Sequence, residues 1–422
     1  MPFRSALSGI NAAASELRVI GNNVANASTT GFKQSRANFA DVYAASSSGG
    51  TSTSIGAGVR LTSVDQQFTQ GTVGFTDNKL DMAINGEGFF ILDDNGSRVY
   101  SRSGQFQADR EGFIVNSNSQ KMVVNIADEF GAITGAAGPL RLDSSNIPPK
   151  STNLIEVAVN LDSGQVPPKT IPFEPERPSS FTHSTSLTVY DSLGTPSLAS
   201  MYYIKTDVPN EWEVHTFVNG KSLNGPKNPE TGEFTGNKIK FDGAGGLAQI
   251  NGIDIPPGKL SYAPIELGTG ADPMSLTFDL YGDIPVTQFG GNFTVNGIQQ
   301  NGYTSGRLTG IDIDGTGIVR AKFTNGQTRT LGQVTLANFS NKNGLRQLGE
   351  TNWSESFTSG PALIGTPGSG SLGLIQSGAL ENSNVDLTGQ LVNMITAQRN
   401  FQANAQVIST ADSVTQSIIN IR

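Results

Sequence analysis

Apolar residues recur along the last stretch of the chain, Ser383 to Arg422, in steps of three and four. Leu387, Leu391, Met394, Phe401, Ala405, Ile408 and Ile419 mark the row. Proline is absent there, and Gly389 is the single glycine. This spacing predicts a helix with a narrow apolar seam, made to lie against other helices. Ser383-Asn384-Val385-Asp386 reads as a capping box that starts it. At ~1.5 Å per residue the helix would run roughly 58 Å. The first stretch has the matching row: Phe3, Leu7, Ile10, Ala14, Leu17, Gly21 and Val24. The simplest solution pairs the two ends of the chain. An ordinary amphipathic helix at each end, packed on a domain core, fits the same periodicity. A pair with seams this narrow is marginal against the cost of ordering it. It is expected to need further partners, which copies of the same chain could supply, and to be frayed in the free subunit.

Between the two ends the period changes to two. Asp81 to Asn116 reads as short strands broken by Asn-Gly, Gly-Ser and Glu-Gly turns. Pro148-Pro149, Pro167-Pro168, Pro172, Pro175 and Pro178 mark a domain boundary. Ser180 to Lys205 alternates about a Ser-Leu-Gly-Thr turn, and Lys221 to Gly282 is Gly- and Pro-rich with short apolar runs. Ala44 to Gly58 and Gly360 to Gly373 have the composition of flexible linkers.

Composition narrows the function classes. Charged residues make up 15% of the 422, against ~25% in ordinary domains. A polar surface with so few charges suits extensive protein contact. The net charge of −8 argues against nucleic acid as a partner. With no cysteine there are no disulfides, thiolate metal sites or cysteine nucleophiles. The N-terminal stretch lacks the apolar block of a cleavable Sec signal, and no run approaches the ~20 apolar residues of a membrane span.

Candidate chemistry is sparse, and no catalytic, cofactor-binding or metal residue is assigned. Asp312-Ile313-Asp314-Gly315 begins like a calcium loop. Its later ligand positions are Thr316 and Phe323, so a hairpin turn is expected. Asp93-Asp94-Asn95-Gly96 reads as another solvated turn. Gly86 and Gly88 precede no helical pattern and form no nucleotide loop. His183 and His215, the two histidines, sit in neither a triad nor a zinc motif. Trp212 and Trp353 are expected as core or interface anchors rather than sugar platforms.

Two sets of residues at opposite termini carry a family resemblance. Leu7-Ser8-Gly9-Ile10, Gly21-Asn22-Asn23-Val24-Ala25-Asn26 and Thr29-Thr30-Gly31-Phe32-Lys33 form the first. Ser377 to Asp386, with Gln398-Arg399-Asn400-Phe401-Gln402-Ala403-Asn404-Ala405, forms the second. Together they resemble the signatures of bacterial flagellar rod and hook proteins. Asn85 to Phe90, Tyr100 to Phe106, Thr309 to Asp314 and Leu331 to Leu345 resemble that family's inner β domain. Ser180 to Lys205 resembles the opening of the hook proteins' outer domain, which the shorter rod proteins generally lack.

The resemblance implies a mainly β chain with a terminal α-helical coiled-coil layer, nested so that it passes outward through each domain and returns in reverse order. Residues 1–27 and 384–422 would be the paired helices of an inner tube, and 28–75 with 361–383 extended connections. Residues 76–149 with 289–360 would form the inner β domain, and 150–288 the outer one. Leu7, Ile10, Leu17, Val24, Leu387, Leu391, Met394, Phe401, Ile408 and Ile419 are the expected contacts between subunits. The signature itself falls on Asn22, Asn23, Asn26, Thr30, Gly31, Phe32, Gln398, Arg399, Phe401 and Asn404.

The implied function is a structural one: a subunit of a curved hollow tube, the hook, a universal joint passing torque from rod to filament. Implied partners are further copies of the chain, the rod, hook-cap and hook-filament junction proteins, and the flagellar type III export apparatus. Neither nucleic acid nor membrane insertion is implied, and export would leave the protein outside the cell without a cleaved signal. Two alternatives stand beside this one. One is a distal rod subunit, and the other is a secreted carbohydrate-binding or adhesive β protein.

Overall fold

A computed structural model describes residues 2–42, 56–128, 131–143, 145–256 and 258–420. The fold is mainly β, with an α-helix at each end: α1, Pro2–Ala25, and α2, Leu387–Asn420. The chain divides into two compact units. The first is discontinuous, comprising Met1–Ser144, Thr309–Lys322 and Thr328–Arg422. The second comprises Ser145–Leu308 and Phe323–Gln327.

The first unit is built on an antiparallel sheet whose central strands are buried on both faces. Phe89–Asp94 lies between Ser97–Ser101 and Lys121–Ala127. Because side chains alternate along a strand, Phe90 and Leu92 enter one core with Met82, Ile84, Val124 and Leu336. Phe89 and Ile91 enter another with Tyr100, Phe339 and Trp353. Trp353 packs edge-on against Phe68 and Phe89 and donates from Nε1 to Gln66 Oε1 at 2.6 Å. Burial beside Glu355 pushes the Tyr100 hydroxyl up to about 12.

Several regions differ from the sequence expectation. Residues expected as extended connections are paired. Ser35–Asp41 and Val59–Gln66 form an antiparallel hairpin with a bulge at Asn38/Phe39, and Leu363–Gly365 pairs with Leu336–Asn338. At Leu363–Gly365 Gly- and Ser-rich composition concealed a strand whose backbone groups have partners. The Ser/Gly/Thr run at 44–55 lies outside the described residues. The start of α2 differs as well. Asp386, not Ser383, caps the helix: its Oδ1 accepts from Thr388 N at 3.0 Å and its carbonyl from Gln390 N at 2.9 Å.

The second unit is a sandwich. An antiparallel sheet runs from His183–Tyr190 through Pro196–Lys205, Glu211–Val218, Asn237–Phe241 and Leu247–Ile250 to Ile253–Asp254. It shares one core with a smaller sheet holding Leu154–Asn160 and Thr277–Asp279, and Trp212, Tyr203, Val157 and Phe278 are buried between them. The strand Thr294–Gln300 pairs with Leu154–Asn160. The second unit therefore runs past residue 288, where the sequence expectation ended the outer domain. Asn301 fixes this return by accepting from the amides of Asn153 and Leu154.

His183 stacks on Phe293 with ring centroids 4.5 Å apart. Burial holds its imidazole below the ordinary 6.5, opposed by the Asp162 carboxylate. The unfolded chain takes up this proton first as pH falls. Stability present at neutral pH is therefore lost as pH drops from 6.5 toward the folded value. His183→Phe keeps the stack and removes the titration. Its melting temperature should fall less than that of the parent between pH 7.5 and 5.5, whereas equal slopes would contradict the assignment.

Candidate functional site

α1 and α2 lie side by side and run antiparallel. Asn23 Nδ2 donates to Gln390 Oε1 at 3.2 Å near one end. Further along, a Cβ on Gly9 would collide with the Asn404 side chain. A side chain at residue 9 would therefore force the Asn404 side chain to move. On α1 the buried row is Ala6, Ala13 and Ile20, at seven-residue spacing, and on α2 Ala397 is buried. The expected residues Ile10, Leu17, Val24, Met394 and Ile408 are half-buried. Leu7, Leu387, Leu391, Phe401 and Ile419 are exposed. Within a single chain the residues singled out in the sequence are thus split between half-buried and exposed positions.

Large apolar side chains remain uncovered on both helices. Besides those just named, Phe3, Val392, Ile395, Val407, Val414 and Ile418 are exposed. α2 has 34 residues against 24 in α1. Its C-terminal turns therefore run on beyond the start of α1.

Both helices are tied to the β unit by a buried cluster of charges. Glu381 has no exposed side-chain surface. Its Oε1 accepts from Lys33 Nζ at 2.6 Å and from the Gly71 amide at 2.9 Å. Its Oε2 accepts from Arg102 Nη1 at 2.9 Å. Lys33 Nζ also donates to Thr69 O at 2.8 Å, and Arg102 Nη2 to Gly86 O at 2.6 Å. Burial pulls the Lys33 ammonium below its ordinary 10.5, opposed by the adjacent Glu381 carboxylate. Burial likewise pulls Arg102 down, opposed by Glu381 and by Glu87. Glu87 itself is held low by its hydrogen bond from Lys342, 2.9 Å away.

The N-terminal signature residues build the same junction. Asn23 is buried and closes a two-bond ring with Ser35, donating to its carbonyl and accepting from its amide, both at 2.8 Å. Asn26 donates to Asn22 O and accepts from Thr29 Oγ1, forming the turn that ends α1. Thr30 is half-buried in that turn and Phe32 is buried. Gly31 has φ +70°, donates to Glu381 O at 2.8 Å, and lies so close to the Arg102–Ser103 backbone that a side chain cannot fit. Asn384 binds Gln34 N through Oδ1 and Gln67 O through Nδ2, both at 2.8 Å. The helical part of the C-terminal signature behaves differently. Gln398, Arg399 and Phe401 face solvent, and Asn404 meets Gly9.

The charge cluster was missed in the sequence reading, although all three residues lie within its motifs. One signal was available. Glu381 is the lone charged residue between Glu355 and Asp386.

The other candidates resolve locally. Asp314 accepts from Thr316 and Ile318 amides in a hairpin turn, and Asp312 pairs with Lys322 at 3.2 Å. His215 pairs with Glu213 at 3.1 Å and stacks on Phe173. Trp212 and Trp353 are buried in the two units' cores. No cluster of three or more His, Cys, Asp or Glu suited to a metal occurs among the described residues. No described helix is long and apolar enough to cross a membrane.

Comparison with known proteins adds four family matches. The model described as "Flagella basal body rod protein" matches residues 3–33. "Flagellar hook protein FlgE/F/G D1 domain" matches 83–165, and "Flagellar basal body protein FlaE D2 domain" matches 160–303. "Flagellar basal body rod FlgEFG protein C-terminal" matches 376–421. The chain is 38% identical to the flagellar hook protein FlgE of Escherichia coli K12 over 426 residues, covering 100% of both chains. It is 32% identical to that of Borreliella burgdorferi, covering 99% of this chain and 98% of the relative. The solved Helicobacter pylori flagellar hook protein FlgE2 shares the fold, with TM-score 0.53 at 14% identity over 73% of this chain and 100% of that one.

Removing one partner of a buried charge cluster leaves the others unpaired, at about 3–5 kcal/mol. Glu381→Ala strands two cations and should destabilise the first unit by about that much. Calorimetry should show a lower melting transition for the variant. An unchanged thermogram would show that the cluster does not hold the junction.

Proposed function

The chain belongs to the flagellar hook protein family and is a structural subunit of the hook, and from that premise we propose that its terminal helices polymerise into the inner wall of a curved hollow tube. Such a tube acts as a universal joint, bending while it passes torque from rod to filament. One observation carries the reading: each single chain leaves rows of large apolar side chains bare on two helices, Leu387, Leu391 and Ile395 among them. Surfaces of this kind mark protein contacts. Within one chain these residues stay uncovered, so they remain for other copies. Leu7, Ile10, Leu17, Val24, Leu387, Leu391, Met394, Phe401, Ile408 and Ile419 are the proposed subunit contacts. The solvent-facing signature residues Gln398 and Arg399 belong with them.

The domains act as nested layers in this reading. The helices form the tube wall, and the two β units stand outside it and shift against their neighbours as the tube bends. Rod, hook-cap and junction proteins would meet the ends of the polymer. The flagellar type III apparatus would export the subunit with no signal peptide removed, leaving it in the flagellum outside the cell.

Leu391→Asp places a charge on the bare row without touching either β core. It should abolish polymer formation, seen in electron micrographs, while the subunit's melting stays unchanged. Gln402→Ala, also on the helix surface, should polymerise normally. Intact tubes from Leu391→Asp subunits would refute the helical wall.

A further inference from the structure

The 34 residues of α2 are not equally suited to a stiff helix. Seven of the thirteen residues at 407–419 are β-branched, against four of the twenty at 387–406. Branching at Cβ crowds the preceding turn and lowers helix propensity. Charge does not brace the weaker part. Arg399 and Asp412 are the two charged residues of α2, too far apart in sequence to pair across a turn.

The same part of the helix shares its own carbonyls. Thr410 Oγ1 donates to Gln406 O at 2.9 Å, and Ser413 Oγ to Ser409 O at 3.0 Å. Thr415 Oγ1 donates to Ala411 O at 2.8 Å, and Ser417 Oγ to Ser413 O at 2.9 Å. Among the described residues, Thr396 is the one earlier hydroxyl of α2 that does so, donating to Val392 O at 3.0 Å. In an α-helix each of these carbonyls also accepts the amide four residues on. An oxygen divided between two donors holds the main-chain bond less tightly, and such back-bonding bends helices. Thr410, Ser413 and Ser417 are spaced by three and four and so share a face, which gives the loosening a direction.

We propose that residues 407–419 are a compliant segment of α2, which lets the helix itself bend as the tube changes curvature. The inference rests on the polymer reading above and adds to it a place where the wall yields. A helix of strong formers with unshared carbonyls would resist bending and pass the strain to its contacts. Here four shared carbonyls fall within about two turns. A small bend is spread over several softened bonds, and none has to break. The four hydroxyls are exposed in the single chain, and the bonds they make are internal to α2.

Amide exchange and tube curvature in the purified polymer test the proposal. Thr410→Val, Ser413→Ala, Thr415→Val and Ser417→Ala together remove the hydroxyls and keep the β-branching. Amides 410–417 should then exchange several-fold more slowly than in the parent polymer, and micrographs should show a narrower spread of curvature. Thr410→Ser with Thr415→Ser keeps the hydroxyls and should retain the parent's spread. Unchanged exchange or unchanged curvature in the hydroxyl-free polymer would overturn the proposal. So would loss of assembly in that variant alone, since the hydroxyls would then serve contacts between copies. If the parent itself forms no tubes, the polymer reading fails and this inference falls with it.

Discussion

The buried charge cluster of Lys33, Arg102 and Glu381 is the constraint on which the rest of the molecule depends. It joins the loop after α1, a β-strand end in the first unit, and the segment leading into α2. Taking three charges out of water is expensive, and the arrangement engages most of their lone pairs and protons, Arg102 Nε being the buried atom left without a partner. Glu381 meets this demand by accepting from both cations and from Gly71. Such a cluster is poorly suited to making stability, but it tolerates few alternative geometries. Its role here is to fix where each helix leaves the β unit. Asn23, Gln34, Asn384 and Gln390 extend the same junction with uncharged hydrogen bonds.

A division of labour follows. The β units are complete in themselves: strands such as Phe89–Asp94 are buried on both faces, and Trp212 and Trp353 are enclosed. The helices are incomplete. Ala6, Ala13 and Ile20 on α1 and Ala397 on α2 are buried, while Leu7, Leu387, Leu391 and other large apolar residues stay in water. A helix stabilised by packing needs its apolar face covered, and one chain covers a single narrow side of each. Fixed exits from a finished β unit, with unfinished helices beyond them, suit a subunit whose core is made by assembly.

Much of this was legible in the sequence, for identifiable reasons. Both terminal helices announced themselves by periodicity, and Asn-Gly and Glu-Gly turns marked the strands between them. Four things were not legible. Which helix residues one chain buries was not legible: Ala6, Ala13 and Ala397, which carry little apolar signal, are buried, whereas Leu7 and Leu391 are exposed. Gly- and Ser-rich stretches hid paired strands such as Leu363–Gly365, because composition reports flexibility and not hydrogen-bond partners. The strand Thr294–Gln300 belongs to the second unit through pairing with residues some 140 positions earlier, and such long-range pairing leaves no local trace. The charge cluster has the same origin, since its members are brought together only by the fold.

Amide hydrogen exchange on free subunit and assembled polymer tests the central claim most directly. Amides of α2 from Leu387 to Ile419 should exchange fast in the subunit and become strongly protected in the polymer. Those of Phe89–Asp94 should be protected equally in both. Strong protection of α2 in the free subunit, unchanged on assembly, would contradict the account.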